Sequence, residues 1–543
     1  MMKKIFRNLS TIILITAVFF TCVGTSFAAA FTYHPAVEKN LFSTAKLEDY
    51  VKSETPAFHK NKGRNSFTTV KERNSYLKKL TKNNRYMSLY YKKNMSDTPI
   101  VFFTSEDMSK VIGWKSACTV LAASDKINVF YQAGLHGDET AGAEGALYFL
   151  QRIAADSEYA AYLAEHLNIC VVPCANPDAA ATKSRKTPGG VNINRDNLYV
   201  SSKYTLLLHN LYNAIRPEIV MDSHECLSNM QLAPNQSKDY FTDVYLSANS
   251  SLNVDASLNK WASQIMDAAL KDCKKSGLRV SIYDDANSTT ISGTVSSTYY
   301  GLQGSISILI ESMGINMGKS HLGRRVYSHY RAVSSILDTV IKNKEDIAED
   351  VAAACGNVIE KGKKFSSGNR FALKQKVTGS LYTVIPRNVY SSTTGKKITS
   401  VKYKVYWHDK IVRSRALPTA YIISKKTENA DLIMKKLKYN GIEYFEIEPG
   451  TKVSVSSFSG DGQKASITKA KALTFTKGAY VIPMDQVGAK VAATCLEPDI
   501  YETLSLGGTF VQSGLLKANE IYRYTKSNPR QNLQKLQELR KLN

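Results

Sequence analysis

The chain has 543 residues, more than one ordinary hydrophobic core accommodates, so two or more domains are expected. A composition of 43% hydrophobic and 10% aromatic residues excludes a disordered chain. The formal net charge of +24 would suggest a nucleic-acid partner, but the lysines are spread along the chain without a basic patch interleaved with aromatic residues, so no nucleic-acid binding is expected.

The first 30 residues have the order of a secretory signal peptide. MMKKIFRN is basic, LSTIILITAVFFTCVGTS is apolar, and FAAA offers small residues for cleavage. No later stretch is apolar enough to cross a bilayer, so we expect a secreted or cell-wall-associated protein with no stable membrane insertion after cleavage. The eight cysteines are sparse, and they are odd in number once Cys22 is removed with the signal. This predicts free buried thiols rather than a disulfide framework.

The region after a polar N-terminal extension (31–64) alternates helical and strand-like segments. VKERNSYLKKLTKN predicts one helix, and ETAGAEGALYFLQRIAA predicts another with Ala and Leu recurring on one face. Five short apolar runs rich in β-branched residues are TPIVFFT (98–104), INVFYQAG (127–134), NICVVPCA (168–175), EIVMDS (218–223) and SISILIES (305–312). The alternation predicts buried strands of an α/β sheet.

Polar residues capable of chemistry gather at the C-terminal ends of four of these runs. They are His136 and Glu139 after the second run, Asn176 and Asp178 after the third, His224 and Glu225 after the fourth and Glu311 at the end of the fifth. Ligands of open α/β sheets bind in the crevice outside the carboxyl ends of the strands. We therefore expect these side chains to share one site.

Two histidines and one glutamate of this group form a candidate zinc site. His136 and Glu139 lie three residues apart in the glycine-rich turn GLHGDETAGAEG, and His224 is the third candidate on a neighbouring strand end. A catalytic Zn²⁺ takes three such ligands and leaves one position for water. Glu311 ends an otherwise apolar strand, where a glutamate is costly unless paired or functional, so it is the candidate general base for a zinc-activated water. The alternatives are a polar turn, a strand-end histidine and a loop cap, none of which holds a metal.

Three loop residues are candidates for binding the negative charge of a substrate. Arg185 lies in SRKTPGG, and Asn194 and Arg195 follow a glycine turn in GGVNINRDN. An arginine binds a carboxylate through two parallel hydrogen bonds, and a second cation can stabilise a developing oxyanion. Without a metal site beside them, these residues would be ordinary solvated loop polars.

The ordered motifs His136-x-x-Glu139, Asn176-Pro177-Asp178, Asn194-Arg195, Asp222-x-His224 and Glu311 resemble the M14 family of zinc carboxypeptidases over about residues 65 to 345. The resemblance implies an α/β fold with a mixed sheet flanked by helices, and hydrolysis of an amide bond near a free carboxylate. It implies one Zn²⁺ held by His136, Glu139 and His224, with Glu311 as general base and then acid. It also implies that Arg185 polarises the scissile carbonyl, and that Asn194 and Arg195 hold the terminal carboxylate.

Two positions depart from the family pattern. Asn192 stands where the family often has an acid bonded to the first zinc histidine, and the lost charge could weaken metal binding. The family's substrate-covering tyrosine has no clear counterpart, because the candidates Tyr283, Tyr299 and Tyr300 all precede Glu311. Tyr300 is assigned as the substrate-binding tyrosine.

After the predicted catalytic domain (65–355), the sequence pattern changes from alternating helices and strands to mainly strands. A polar, glycine-bearing linker is predicted for residues 356–370 and a smaller, β-rich α+β domain of unknown role for residues 371–543. Strands such as SLYTVI, SVKYKVYW and KALTFT surround one strand–helix–strand unit, TAYIIS–ENADLIMKKLKYNG–IEYFEI, whose Gly441 suits a helix C-cap. NPRQNLQKLQELRKL predicts a closing helix, and the whole region looks like the extension of some secreted bacterial members of the family.

Three functional hypotheses fit these patterns. The leading one is a secreted zinc-dependent metallocarboxypeptidase that removes C-terminal residues from peptides. The second keeps the machinery but acts on cell-wall peptides at γ-D-glutamyl or related amide bonds, which the basic charge and export favour mildly. The third is a non-catalytic protein that retains the fold and holds an anionic wall through its basic surface.

Overall fold

The computed structural model describes residues 33–42, 55–59, 67–227, 238–283, 291–315, 317–503 and 508–534. The predicted signal peptide lies outside these ranges. Within them, no helix combines the length and the apolar character that a membrane crossing requires. The seven described cysteines are all free, as predicted, and six of them are buried.

The region predicted to be catalytic, called the catalytic region below, is built on a mixed sheet. Its strands are β1 (Met87–Lys92), β2 (Met95–Phe103), β3 (Ile127–Ala133), β4 (Leu167–Val172), β5 (Ile219–Leu227), β6 (Lys238–Asp239), β7 (Val244–Ala248), β8 (Val280–Ile282) and β9 (Ile306–Ile315). All but β6 form one sheet in the order β1-β2-β4-β3-β5-β9-β7-β8. The central pairs β4·β3, β3·β5 and β5·β9 are parallel, and antiparallel pairs flank them. The five apolar runs are β2 to β5 and β9, so the predicted mixed α/β fold is confirmed.

Twelve helices accompany this sheet in the described residues. They are α1 (Pro35–Leu41), α2 (Pro56–His59), α3 (Val70–Thr81), α4 (Trp114–Ala122), α5 (Thr140–Ala155), α6 (Ser157–His166), α7 (Pro177–Thr182), α8 (Lys203–Ile215), α9 (Ala256–Lys275), α10 (Ser296–Leu302), α11 (Leu322–Lys342) and α12 (Lys344–Lys363). α3 and α5 are the two helices that the sequence predicted. α11 packs against α5 and α9, and all three contact strands of the sheet. The parallel strands β3, β5 and β9 therefore present their carboxyl ends at one edge.

A fully buried histidine joins α8 to α10. His209 lies between Asn197, whose Oδ1 is 3.1 Å from its Nε2, and Tyr299, whose hydroxyl oxygen is 3.2 Å from its Nδ1. The Tyr299 ring stacks on the imidazole at 4.5 Å. Burial lowers the pKa of His209 to about 3, so the folded protein keeps this ring neutral.

Acidification is expected to destabilise the fold through His209. Its folded pKa lies below the unfolded value of about 6.5, so the unfolded chain takes up the proton first, and stability is lost as pH falls through that range. Between about pH 7.5 and about pH 5 this linkage costs about 2 kcal/mol in the free energy of unfolding. Urea unfolding across that range should show a smaller pH slope for His209→Gln than for the wild type. Equal slopes would contradict the assignment.

The C-terminal region is β-rich, as predicted. Its elements are β10 (Arg370–Lys376), β11 (Tyr382–Ser391), β12 (Lys397–Tyr406), β13 (Lys410–Ala416), β14 (Ala420–Ser424), α13 (Ala430–Tyr439), β15 (Phe445–Ile447), β16 (Thr451–Gly460), β17 (Ala465–Ile467), β18 (Lys471–Phe475), β19 (Ala479–Pro483), α14 (Ala489–Leu496) and β20 (Ile521–Tyr524). A sheet in the order β15-β19-β14-β20-β16-β17, with β18 also on β16, forms its centre. β10 pairs with β13, and β11 pairs with β12 and with β6 of the catalytic region. Gly441 follows α13 with a φ of +71°, as expected of a residue after a helix C-terminus.

The boundary between the two regions differs from the predicted linker. α12 continues to Lys363, so most of the predicted linker 356–370 is helical. Only the residues between Lys363 and Arg370 connect α12 to β10. Within this segment Gly362 is buried, and a Cβ there would lie 2.0 Å from the carbonyl oxygen of Met484, so the glycine allows α12 to pack closely against the C-terminal region rather than marking a linker.

One apolar core spans both regions. Leu198 and Tyr299 of the catalytic region belong to the same buried cluster as Ile433 and Val491 of the C-terminal region. Hydrogen bonds cross the same boundary, since the Asn440 side chain donates to the carbonyl oxygen of Leu198 at 3.1 Å. The C-terminal region is therefore packed onto the catalytic region rather than tethered to it.

Candidate metal centre

The glycine-rich turn between β3 and α5 carries His136 and Glu139. Gly137 has no room for a side chain, because a Cβ there would lie 2.0 Å from the carbonyl carbon of Ala179. Its amide donates to the carbonyl oxygen of Ser184 at 2.8 Å, and Asn176 donates from Nδ2 to the carbonyl oxygen of Leu135 at 3.0 Å. The turn is thus fixed by the loops that follow β4, which explains why a histidine and an acid stand among residues without bulk.

His136, Glu139 and His224 meet at the carboxyl ends of β3 and β5. The Nδ1 atoms of His136 and His224 lie 2.8 Å from Glu139 Oε1 and Oε2, and 3.2 Å from each other. One ligand atom from each residue lies within 4.8 Å of those of the other two, and all three side chains are buried. The structure therefore brings together the three residues that the sequence selected as metal ligands.

The far nitrogens of both histidines are also engaged. His136 Nε2 is 3.0 Å from Asn192 Oδ1, and His224 Nε2 is 3.0 Å from Asp222 Oδ2. For His136, the amide oxygen of Asn192 accepts from Nε2 and leaves Nδ1 free for a metal. For His224, the Asp222 carboxylate lies at ion-pair distance from Nε2, and Nδ1 faces Glu139. Two imidazole nitrogens and one carboxylate, oriented in this way, are the donor set of a catalytic zinc site.

The charges of the cluster reinforce each other. Burial alone would raise the pKa of Glu139, but the two imidazoles hold it well below its usual range. Burial alone would lower the pKa of His224, but Asp222 and Glu139 raise it well above its usual range. Glu139 is therefore ionised, as a metal ligand must be, in a pocket that favours positive charge.

Restoring the acid at position 192 is expected to tighten metal binding. Asn192 accepts from the first histidine without a charge, whereas an aspartate would increase the basicity of that imidazole. Asn192→Asp should raise zinc affinity about tenfold, and Asn192→Ala should lower it about tenfold, by the usual size of such outer-partner effects. Competition titrations against a chromophoric chelator measure both affinities. An unchanged affinity in both variants would contradict a role for Asn192.

Glu311 lies beside the metal ligands on the adjacent strand. It pairs in register with His224 across β5 and β9 and with Tyr245 across β9 and β7. It is 8% exposed, and its Oε2 has no hydrogen-bond partner among the described residues. Burial, reinforced by the nearby Glu139 carboxylate, raises the pKa of Glu311 well above its usual range. A carboxyl group with this environment at a sheet edge is suited to accept and return a proton.

The predicted substrate-binding residues lie around the same centre. Arg185 is 41% exposed and donates from Nη1 to Glu139 Oε1 at 2.6 Å, so a cation stands at the mouth of the cluster. Asn194 is buried, with its Nδ2 3.2 Å from His224 Nε2 and its Oδ1 accepting from the amide of Ser296 at 2.9 Å. Arg195 is half-buried and donates from Nη1 to the carbonyl oxygen of Asn194 at 2.7 Å.

Tyr300 does not line the site, which corrects its assignment as a substrate-binding residue. It is fully buried on α10, and its hydroxyl donates to Gln132 Oε1 at 3.1 Å. Its ring packs against Tyr212 at 4.7 Å and against Phe130 at 6.1 Å. The side chain faces the core because α10 packs its residues against β5 and β9. Tyr299 is equally buried, against His209.

A buried ion pair that the sequence analysis missed supports the centre from below. Glu225, the residue after His224, binds Arg325 of α11 through two bonds of 2.8 Å. Glu225 also accepts from the amide of Ala141 at 2.8 Å, and its own amide donates to Glu139 Oε2 at 3.2 Å. It therefore links β5 to the first turn of α5. The adjacent acid in MDSHE was a signal for Glu225, but no local pattern marks Arg325 as its partner.

The family described as Peptidase M14, zinc carboxypeptidase, matches residues 66–216. Carboxypeptidase 2 of Trichophyton equinum is 24% identical over 468 residues, covering 80% of this chain and 82% of that protein. Carboxypeptidase 2 of Trichophyton rubrum is 25% identical over 416 residues, covering 71% of this chain and 74% of that protein. A metallo-carboxypeptidase structure from Burkholderia cenocepacia has 15% identity and a TM-score of 0.37, covering 50% of this chain and 69% of its own.

Proposed function

We propose that this chain, whose residues 66–216 match the M14 family of zinc carboxypeptidases, is a secreted enzyme that removes C-terminal residues from peptides with one Zn²⁺. The observation that carries the proposal is the meeting of His136, Glu139 and His224 beside Glu311 at one sheet edge. A protein that only binds an anionic wall would not need these four groups to converge.

The roles of the residues follow from their positions. Bound by the three ligands, Zn²⁺ supplies a Lewis acid for water and for the scissile carbonyl. Glu311 accepts the proton of the attacking water and then donates it to the leaving amine. The raised pKa of Glu311 lies closer to neutral pH than that of an ordinary carboxyl group. A single carboxyl group can then accept the proton and also donate it. Arg185, at the mouth of the cluster, is placed to stabilise the negative charge that develops on the carbonyl oxygen.

The substrate carboxylate is assigned to Asn194 and Arg195. The two residues lie in a short 3₁₀ turn (Ile193–Arg195) next to His224, and Arg195 is half-buried, so its charge is only partly screened by water. A guanidinium beside an amide is a fitting partner for a planar carboxylate. Recognition of that group beside the metal would restrict cleavage to the last peptide bond.

A matched pair of peptides tests the proposal. One peptide ends in a free carboxylate, and the other has the same sequence with a C-terminal amide. We expect loss of the terminal residue from the free acid alone, inhibition by 1,10-phenanthroline, and one zinc per chain by metal analysis. Cleavage of both peptides at internal bonds would contradict a carboxypeptidase. Release of fragments from purified cell wall, with ordinary peptides left intact, would instead support the wall-peptide hypothesis.

Secretion is part of the proposal and has its own test. It is supported by the basic, apolar and small-residue order of the first 30 residues. Expression in a bacterial host with N-terminal sequencing of the exported protein should find a chain beginning near Ala28 to Ala30. Retention of the full chain inside the cell would contradict it.

A further inference from the structure

A cavity of about 490 Å³ lies between the catalytic region and the C-terminal hairpin. Its walls are α9, the edge strand β8 and the hairpin strand β11. None of the residues predicted for the metal centre lines it. We call it the hairpin cavity.

Two arginines that line the hairpin cavity carry buried N–H groups without an acceptor. Arg387 is 7% exposed; its Nη2 donates to the carbonyl oxygen of Ile282 at 3.0 Å, whereas its Nε has no acceptor among the described residues. Arg279 donates from Nε and Nη2 to the Asp243 carboxylate at 2.9 Å and 2.6 Å. Its Nη1 has no acceptor among the described residues. Buried donors to which no acceptor is supplied are rare because each one costs free energy.

The Arg387 guanidinium is held in place by aromatic rings. Its central carbon lies 3.7 Å from the centroid of Tyr403 and 5.0 Å from that of Tyr240. Stacking of this kind fixes the plane of the guanidinium before any ligand arrives. Binding therefore does not have to order the Arg387 side chain, and the smaller loss of conformational entropy favours binding.

The charge around the cavity favours an anion. Lys271 and Lys274, both exposed on α9, line it together with the two arginines, against a single carboxylate, Asp267. Ile385 and Pro386 add apolar surface. Cations at the rim attract an anion, buried guanidinium groups bind its oxygens, and the apolar wall accommodates the body that carries it.

We propose that the hairpin cavity binds an oxyanion, a carboxylate or a phosphate, carried on a small organic group. The guanidinium groups of Arg387 and Arg279 bind its oxygens, and Lys271 and Lys274 balance its charge. The site is separate from the metal centre, so it gives the C-terminal region a binding role that does not depend on catalysis.

Calorimetric titration of the zinc-loaded full chain tests the site. The probes are inorganic phosphate and N-acetylalanine, with N-acetylalanine amide as the neutral control. We expect at least one of the two anions to bind and the amide not to bind. Phosphate alone would point to a phosphate-bearing polymer, and N-acetylalanine alone would point to a peptide carboxylate. Absence of binding by both anions would overturn the proposal.

Variants locate the binding. Arg387→Gln should weaken anion affinity at least tenfold, the usual effect of losing a charge-assisted hydrogen bond. It should leave peptide hydrolysis within about twofold of wild type, which excludes the metal centre as the affected site. Lys271→Gln combined with Lys274→Gln alters only exposed residues and should weaken affinity even if Arg387→Gln impairs folding. Lys402→Gln, an exposed lysine of the same hairpin outside the cavity, is the control. Wild-type affinity in both cavity variants would overturn the assignment.

Discussion

Glu311→Gln is expected to lower kcat for peptide hydrolysis by about 10²- to 10⁴-fold, the range that a positioned general base contributes. Glutamine has nearly the same shape and preserves the packing of β9, but it cannot accept the proton of the attacking water. The metal ligands are untouched, so zinc content should stay at the wild-type level. Steady-state kinetics on a free-acid peptide and metal analysis of the same sample measure the two quantities.

Glu218→Gln is the matched control for this variant. Glu218 is a largely buried carboxyl group just before β5, where it accepts from the amide of Asn128 at 2.7 Å, and it has no place in the proposed chemistry. Its substitution should leave kcat unchanged. Turnover of Glu311→Gln near the wild-type rate, with zinc bound, would remove Glu311 from the mechanism.

His136→Ala is expected to abolish hydrolysis together with zinc binding. The substitution removes one of three ligands and one of the two imidazoles that lower the pKa of Glu139. Treatment with 1,10-phenanthroline should inactivate the wild type, and added zinc should restore its activity. The same addition should not restore the variant. Zinc content and activity are measured before and after each step.

His166→Ala serves as the comparison for ligand loss. His166 ends α6 directly before β4, at the amino end of a strand parallel to β3 and β5, which carry the metal cluster at their carboxyl ends. It is partly exposed, so its substitution should change neither zinc content nor rate. A fully active His136→Ala protein would show that the three converging side chains do not bind the catalytic metal.

The metal centre was predictable because its residues follow strand ends. Apolar runs of four to eight residues predict buried strands, and parallel strands bring their carboxyl ends to one edge, so His136, His224 and Glu311 could be grouped without coordinates. The family resemblance added Asn192 as an outer partner of His136, and the two side chains are in contact. Local pattern and topology coincide at these positions.

Other features depend on packing that no local pattern records. Tyr300 was selected by its position before Glu311, but the direction of a side chain on α10 is set by what the helix packs against. Arg325 meets Glu225 across a separation of 100 residues, and the hairpin cavity unites Arg279 with Arg387. The length of α12 also depended on the close packing of Gly362 against Met484. Spacing along the chain carries no information about such distant pairings.

The core shared by the two regions limits how this enzyme can be shortened. Gln303 of the catalytic region donates to the carbonyl oxygen of Asn440 at 2.7 Å, and Leu198 and Ile433 lie in one apolar cluster. A gene ending at the codon for Lys363 would encode a product with an exposed apolar surface. Such a product is prone to aggregation and proteolysis. Truncated or fused versions of the peptidase therefore have to include the C-terminal region.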